Sequence, residues 1–344
     1  MRKIFHPLSS LIAGALLLTG VLLFASFSRQ GVRAAGGMFF VTPAGGGDCS
    51  QAAPCSLSAA LAQAADGSTL YLAAGTYTGS GGAVLTLTHS LNVYGGWDGA
   101  ASGVVQRNPT VYVSLLDGEN SRRGVFVSGG VTVTLDGLDI TRGNATALGG
   151  ALSGDEDGAG GGVYVYTSTL TINNCRIYSN TASLNVSGYG GGIYARSSRL
   201  TLTASTVQSN TAALGIQYSN NYGGGIALEG SPYAWIQGNT FIGNRASING
   251  GDRNYGGGAA FLYSEHATVL TNTFQRNAGT LQGPGPAYGG GAGFWHSGYA
   301  RIQGNTFREN LGSAQAFGDG GGVTLDYSPH ITVTGNIFEG NIAA

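Results

Sequence analysis

The clearest cluster of candidate metal ligands in this chain is Asp155-Glu156-Asp157, which lies in a glycine-rich stretch. Calcium takes about six to eight oxygen ligands, several of them from carboxylates. The weak candidates Asp155, Glu156 and Asp157 could supply such oxygens, and a solvated loop without a metal is the alternative. A second close acidic pair, Asp136 and Asp139, flanks Gly137 and has the spacing of turn residues.

A row of candidate binding residues recurs once in each unit of a repeat that begins at Gly160. Aromatic and charged side chains on a long flat face favour binding of a glycan or another surface polymer. The alternative is a mixed solvent face, with Arg196 and Glu229 paired across neighbouring coils. Tyr164 and Tyr194 are expected outward two positions before this row. The row itself is Tyr166, Arg196, Glu229, Leu262, Trp295 and Asp326.

The histidines and the single lysine limit what catalysis is available. Lys3 is the only lysine, so the body of the chain has no lysine base. His266 and His330 share one repeat position but lie two coils apart, about 10 Å at the spacing of β-strands. Surface imidazoles are the better interpretation, and no catalytic residue is predicted.

The elements that position these residues come from a repeat defined by a triple glycine and a later asparagine. The separation of the two is nearly constant, as from Gly160 to Asn180 and from Gly223 to Asn244, so length varies almost entirely after the asparagine. Such a period is typical of solenoids, propellers and arrays. The triple glycines start at Gly160, Gly190, Gly223, Gly256, Gly289 and Gly320, and the asparagines are Asn180, Asn210, Asn244, Asn277, Asn310 and Asn341.

Inside each unit, apolar residues alternate as they do in strands with one buried face. In the first unit, the inward-facing apolar residues are Val163 and Val165 on the first strand, Leu170 and Ile172 on the second, and Ile177 on the third. Three short strands without a helical pattern exclude helical repeats, and a propeller blade needs a longer unit. We therefore predict an all-β fold, a right-handed parallel β-helix of about nine coils with three faces per coil. The glycine runs are predicted to turn the chain sharply into the strand. The asparagines are predicted to adopt left-handed geometry at a turn and to hydrogen-bond to one another from coil to coil. Both sets are thus predicted to be structural, and the variable segments after the asparagines are predicted to form a stacked set of loops.

The N-terminal section is predicted to cap this solenoid. Ser56 is a suitable N-cap for a helix over Leu57–Ala65, which would cover the apolar end of the first coil. Cys49 and Cys55 enclose a short loop, and a disulfide between them is expected in an exported protein. One β-helix domain is predicted over 35–344, with the cap and first coils at 35–150 and six repeats at 160–344.

The segment 1–34 is predicted to be a signal peptide. Arg2 and Lys3 precede an apolar run from about Leu8 to Phe27, and small residues follow. An uncleaved anchor is the alternative. Either way the body is expected to be secreted or at the cell surface, without a membrane span once the signal is removed. That body has 12 basic and 17 acidic residues, a net charge of −5, so no nucleic-acid partner is predicted.

Several of these motifs resemble those of known families. The GGVY at 161–164 and GGIY at 191–194 resemble the GGAI-type motif of chlamydial polymorphic outer-membrane proteins, whose paired FxxN motif matches 241–244 and 274–277. The stretch 42–99 is similar to secreted proteins of the pectin-lyase-like superfamily. The resemblance implies a β-helix; that superfamily includes lyases, hydrolases and adhesins. Its lyases use Ca²⁺ and an Arg or Lys base, whereas its galacturonan hydrolases carry a Gly-His-Gly that this chain lacks.

The leading functional prediction is a non-enzymatic surface or secreted protein, an adhesin or a module that binds extracellular polysaccharide or cell-surface glycan. A pectate-lyase-like enzyme is the alternative, and only then is a cofactor, Ca²⁺, expected. A structural segment of a larger surface protein is the third possibility. No capping element follows Asn341, so the last coil is predicted to be uncapped, and either the natural protein is longer or a partner covers this end.

Overall fold

The computed structural model describes residues 36–150, 157–214, 219–283 and 285–344. Those within Gly36–Ala344 form one compact unit, a solenoid whose strands pair in parallel with their equivalents in the next coil. The predicted all-β solenoid is confirmed, and a nine-stranded sheet corresponds to the predicted count of about nine coils. The predicted signal peptide lies outside the described residues.

Two long sheets each take one strand from successive coils among the described residues. Sheet A has ten strands: Met38–Val41, Ser68–Ala73, Leu91–Trp97, Thr132–Asp136, Thr169–Asn173, Arg199–Thr203, Trp235–Gln237, Thr268–Leu270, Arg301–Gln303 and Thr332–Thr334. Sheet B has nine: Gly75–Tyr77, Ser114–Asp117, Leu138–Thr141, Arg176–Tyr178, Thr206–Gln208, Thr240–Ile242, Thr273–Gln275, Thr306–Arg308 and Ile337–Glu339.

The third long sheet carries the strands that follow the triple glycines. Sheet C has eight strands in the described part of the chain: Ala83–Leu87, Arg123–Val127, Val163–Tyr166, Ile193–Arg196, Ile226–Glu229, Ala259–Leu262, Ala292–Trp295 and Val323–Asp326. Together sheets A, B and C form the three predicted faces, and alternate side chains from each point into one continuous core.

The segments after the asparagines, predicted to be loops, also contain strands. Their backbone groups pair from coil to coil, which satisfies donors and acceptors that a loop would leave to water. Sheet D is built from Thr181–Ser183, Thr211–Ala213, Arg245–Ser247 and Ala278–Thr280. Sheet E is built from Gly158–Ala159, Gly188–Tyr189, Asn220–Tyr222, Arg253–Tyr255, Ala287–Tyr288 and Gly318–Asp319.

Equivalent core residues stack in register along the solenoid. The third predicted column ends in four phenylalanines whose ring centroids lie 4.6 to 5.0 Å apart in consecutive pairs, from Phe241 to Phe338. Phe261 and Phe294 stack at 4.3 Å on sheet C. Each fully buried ring contributes roughly 1.5–3 kcal/mol relative to exposure, so these columns lock neighbouring coils together.

The asparagine column forms the predicted ladder. In each coil the Nδ2 group donates to Oδ1 of the next asparagine at 2.9–3.0 Å, from Asn180 to Asn341. The prediction that the asparagine itself has a left-handed backbone is wrong. The residue before each asparagine, such as Ser179 or Arg276, has that conformation instead. A second ladder, which sequence reasoning missed, joins Asn239 to Asn336 through Asn272 and Asn305.

The first glycine of each triple turns the chain into sheet C. Gly223, for example, has φ +63°, and a Cβ there would lie 1.9 Å from the carbonyl oxygen of Ile226. A side chain cannot be accommodated at that distance. The triple glycine is therefore a turn required by the fold, as predicted.

The N-terminal end of the solenoid is covered by one short helix, α1, spanning Leu57–Gln63. Ser56 is its N-cap and accepts a hydrogen bond from the Ala59 amide. The structure contains a disulfide between Cys49 and Cys55. Nowhere in the described residues is a helix long and apolar enough to cross a bilayer.

Candidate functional site

The predicted binding row exists as one column on sheet C. Tyr166 pairs with Arg196, Arg196 with Glu229, and Trp295 with Asp326, each directly across neighbouring strands. Tyr166 and Trp295 differ in exposure: the former is exposed and the latter half-buried. The column does not present the continuous flat face that was expected, since Leu262 in its centre is buried.

Tyr164 and Tyr194 point away from the solenoid core but are not exposed, which corrects the expectation of an outward binding face. Tyr194 has no accessible surface. Both are covered by the strands of sheet E, whose tyrosines pack over sheet C in a second apolar cluster. We name this cluster the tyrosine layer: Tyr164, Tyr189, Tyr194, Tyr222, Tyr255 and Tyr288.

Polar groups at the rim of the tyrosine layer are paired within the protein. The Tyr194 hydroxyl donates to Oε2 of Glu229, and Tyr255 donates to Asp326 at 2.9 Å. Burial raises the pKa of the Glu229 carboxyl, an effect opposed by the hydrogen bond from Tyr194 and by the charge of Arg196. Arg196 also donates to the Gly150 carbonyl at 3.1 Å. These contacts stabilise the layer.

A different surface brings exposed rings together at the corner between sheets C and A. We name it the aromatic corner. Its first row stacks Tyr263, His296 and Tyr327 with centroids 5.3 and 5.0 Å apart. Its second row stacks Tyr233, His266, Tyr299 and His330 with centroids 4.9 to 5.0 Å apart. All seven side chains are exposed.

Trp295 connects the predicted row to the aromatic corner. Its ring lies 5.0 Å from both Tyr263 and His296, centroid to centroid. The guanidinium of Arg253 lies over the Trp295 ring, 5.9 Å from its centroid. Trp295 is thus the one predicted binding residue that contacts the aromatic corner through a ring contact in the described part of the chain.

Every ring of the aromatic corner sits on a residue in left-handed conformation. The φ values are 46° to 50° in the first row and 58° to 59° in the second. Glycine is the residue that adopts this conformation without strain, and Gly230 occupies the first-row position one coil earlier. Aromatic residues in place of glycine cost stability here, as do the other non-glycine residues at left-handed turns of this chain, such as Ser179 and Arg276.

A ladder of buried serines holds the two rows in place. The Ser231 amide donates to Oγ of Ser264 at 3.0 Å, and the Ser264 amide donates to Oγ of Ser297 at 2.9 Å. Backbone hydrogen bonds also tie the ring-bearing residues to the next coil: the His266 amide donates to the Gly298 carbonyl at 3.0 Å. The rings therefore stand on a rigid scaffold.

A one-residue insertion creates the second row. Thr201 lies three residues after Ser198. Their counterparts in the next coil are Ser231 and Trp235, and Trp235 lies four residues after Ser231. The extra residue places Tyr233 on the surface. The sequence contains this signal, because the distance from triple glycine to asparagine grows by one position at that coil. Since that difference was used only to locate the variable segments, the site was missed.

The predicted acidic cluster cannot be placed as a whole, since Asp155 and Glu156 lie outside the described residues. Within the described ranges, no group of three His, Cys, Asp or Glu side chains could hold a metal. Asp136 and Asp139 are not turn residues: they lie on strands of sheets A and B on either side of Gly137. Asp136 pairs with Arg107, and Asp139 with Arg176 at 3.1 Å.

Asp139 borders a cleft of about 270 Å³ that also contacts Arg176 and Cys175. Burial raises the pKa of the Asp139 carboxyl, and the charge of Arg176 opposes this shift. Burial also raises the pKa of the Cys175 thiol to about 12, which disfavours the nucleophilic thiolate near neutral pH. The cleft offers one carboxyl and one guanidinium side by side.

Comparison with known proteins identifies the family. A family model of the right-handed β-helix region matches residues 97–252 and 215–344. The chain belongs to this family. The coils are therefore right-handed, as predicted. A search of curated protein sequences finds no match.

Solved structures of β-helix proteins are similar over most of the chain. A crystal structure of pectate lyase Pel9A has 16% identity and a TM-score of 0.42, covering 89% of this chain and 79% of that one. An alginate lyase from Paenibacillus sp. str. FPU-7 has 13% identity and a TM-score of 0.37, covering 90% and 99%. The Dettilon tailspike protein has 11% identity and a TM-score of 0.34, and the similarity covers 89% of this chain and 68% of that one. Similarities this distant do not identify an activity or a substrate.

Proposed function

We propose that this protein is an exported, non-enzymatic binding protein that holds an extended polysaccharide against the aromatic corner. The observation that carries the proposal is the pair of exposed, stacked rows on that corner. Exposed groups of aromatic side chains on a soluble protein mark binding surfaces. Buried tyrosines elsewhere in the chain have structural partners, whereas the rings of the corner extend into solvent.

The direction of the rows suits a linear polymer. Each row runs along the solenoid axis, with one ring per coil at about 5 Å. A polymer lying along the corner would meet an equivalent side chain once in every coil. The stacked rings present their edges outward, so tyrosine hydroxyls and imidazole nitrogens are available for hydrogen bonds with sugar hydroxyls. Many weak contacts of this kind add up along a chain.

Export is part of the proposal. The leader-like segment 1–34 supports it, as do the disulfide between Cys49 and Cys55 and repeats that resemble those of chlamydial surface proteins. An adhesin that contacts extracellular polysaccharide or cell-surface glycan combines these features. The body of the chain contains no lysine and few clustered cations, so it does not favour binding of nucleic acid.

The test is an affinity measurement against a panel of polysaccharides. The double variant Tyr263→Ala/Tyr299→Ala should weaken binding at least about tenfold, the loss expected for residues at the centre of a contact. Phe317→Ala removes an aromatic side chain that is also exposed but lies outside the corner, and it should bind as the wild type does. Trp295→Ala tests the predicted row separately. Unchanged binding by the double variant, or no binding to any polymer by the wild type, would refute the proposal.

A second candidate, a carbohydrate-active enzyme, is supported by the Asp139–Arg176 pair in its cleft. A carboxyl whose pKa is raised by burial is a candidate for a general acid or base. Under a lyase activity, incubation with polygalacturonate or alginate and Ca²⁺ should raise ultraviolet absorbance, and Asp139→Asn should abolish the rise. A flat absorbance in the wild type would remove this candidate.

A further inference from the structure

A cleft lies at the N-terminal end of the aromatic corner, beside the first ring of its second row. The second row starts at Tyr233, since the coils before it lack the inserted residue. The cleft before it has a volume of about 410 Å³ and is lined by Thr167, Ser197, Arg199 and Tyr233, among others. Thr167 and Ser197 are exposed hydroxyl residues at the first-row position of the two coils that precede Gly230.

Tyr233 is the ring of the second row with a free face toward this cleft. One face stacks on His266 at an interplanar angle of 6°. No ring in the described part of the chain stacks on its other face, and the residue is 56% exposed. Rings within the row are stacked on both sides, so they offer only edges. Tyr233 therefore provides the flat apolar surface on which a sugar ring packs.

Arg199 supplies an available positive charge in the same cleft. It begins a strand of sheet A, and its side chain is exposed. Among the described residues, no ion pair or hydrogen bond involves its guanidinium, in contrast to Arg176 and Arg308, which both contact carboxylates. An arginine fork binds carboxylate or sulfate through two parallel hydrogen bonds.

We propose that this cleft is an end subsite for one anionic sugar residue. Its ring packs on the free face of Tyr233, its carboxylate or sulfate binds Arg199, and its hydroxyls contact Thr167 and Ser197. The rest of the glycan continues along the aromatic corner toward the C-terminal coils, so the subsite fixes the direction in which the polymer lies. This inference rests on the proposed function, because it assumes that the corner binds a glycan.

The test compares an acidic oligosaccharide with the same oligosaccharide after reduction of its carboxylates to alcohols. Wild type should bind the acidic form at least about tenfold more tightly, the effect of one charged hydrogen-bonding pair. Arg199→Gln should abolish that preference while leaving affinity for the reduced form unchanged. Tyr233→Ala should weaken both forms. Arg276→Gln, which removes an exposed arginine at another corner, is the matched control and should behave as wild type. A sulfated oligosaccharide and its desulfated form distinguish the two anions.

The outcomes separate this inference from the proposed function. If Tyr263→Ala/Tyr299→Ala weakens polymer binding but Arg199→Gln keeps the preference for the acidic form, only the end subsite is wrong. The same holds if Tyr233→Ala binds both forms like the wild type. If no oligosaccharide binds, the proposed function and the subsite are both wrong. Thermal unfolding of each variant checks that these exposed substitutions leave the fold intact.

Discussion

The tyrosine layer and the aromatic corner are both rows of rings that run along the solenoid outside its core, yet only one of them reaches solvent. Tyr194 and its neighbours lie beneath the strands of sheet E, whereas Tyr299 and its neighbours project from a corner that nothing covers among the described residues. The two rows differ in exposure because strands of sheet E pack over one of them and no described segment packs over the other. The difference teaches that pointing away from a β-helix core is not the same as being exposed.

The largest difference between the two regions should appear on truncation of one ring from each. Tyr194→Ala should lower the free energy of unfolding by about 3–5 kcal/mol, as expected when a fully buried aromatic side chain is removed. Tyr299→Ala should lower it by about 1 kcal/mol or less, because only ring stacking is lost. Denaturant titrations of both variants measure the contrast. Equal losses would mean that the two rows do not differ in the way their burial indicates.

Backbone strain should distinguish the corner from the layer by about 1 kcal/mol. Tyr299 has φ +59°, a conformation that costs an L-residue roughly 1–2 kcal/mol and costs glycine almost nothing. Tyr299→Gly should therefore be about 1 kcal/mol more stable than Tyr299→Ala, although both lose the ring. At Tyr194, which is not in this conformation, glycine should be the less stable of the two. The reverse order at Tyr299 would show that the corner is not strained.

The smallest expected effect is a pH dependence at the rim of the tyrosine layer. Burial raises the pKa of the Glu229 carboxyl in the folded state, so the folded protein binds this proton more tightly than the unfolded chain. Its contribution to stability is present below the unfolded pKa and is lost as pH rises through the folded pKa.

The control for this effect is Glu229→Gln, which cannot titrate. The melting temperature of the wild type relative to this variant should fall as the pH rises above about 4, the ordinary pKa of a glutamate. A relative melting temperature that rises with pH would show that the folded state prefers the charged carboxylate and would contradict the assignment.

Most of the fold follows from local sequence because a stacked solenoid repeats the same environment in every coil. Phe241 and Asn244 each face their own counterparts, so one interpretation of one unit applies to the rest. The αL residue at each asparagine turn was misplaced by one position, since Ser, Gly, Arg and Glu all occupy it and no single residue type marks it.

The candidate site was only partly accessible to sequence reasoning. Trp295 and Asp326 were correctly placed in one column, but whether a residue is covered depends on segments of irregular length that pack back over sheet C. The burial of Tyr194 and the exposure of Tyr299 therefore could not be read from periodicity. His266 and His330 were recognised as equivalent positions, while Tyr233 and Tyr299, which alternate with them in the same row, were overlooked because the residue type changes from one coil to the next.

The equal length of neighbouring repeat units has a consequence for how the number of coils can change in evolution. Three successive units, which begin at Gly190, Gly223 and Gly256 and end before Gly289, are equal in length. Unequal recombination between them would add or delete one whole coil while every asparagine and phenylalanine kept its partner. Gain of the coil that begins at Gly256, which carries Tyr263 and His266, would extend both rows of rings by one position, and its loss would shorten them. The length of the aromatic corner can thus be inherited as a copy number, without any new residue being selected.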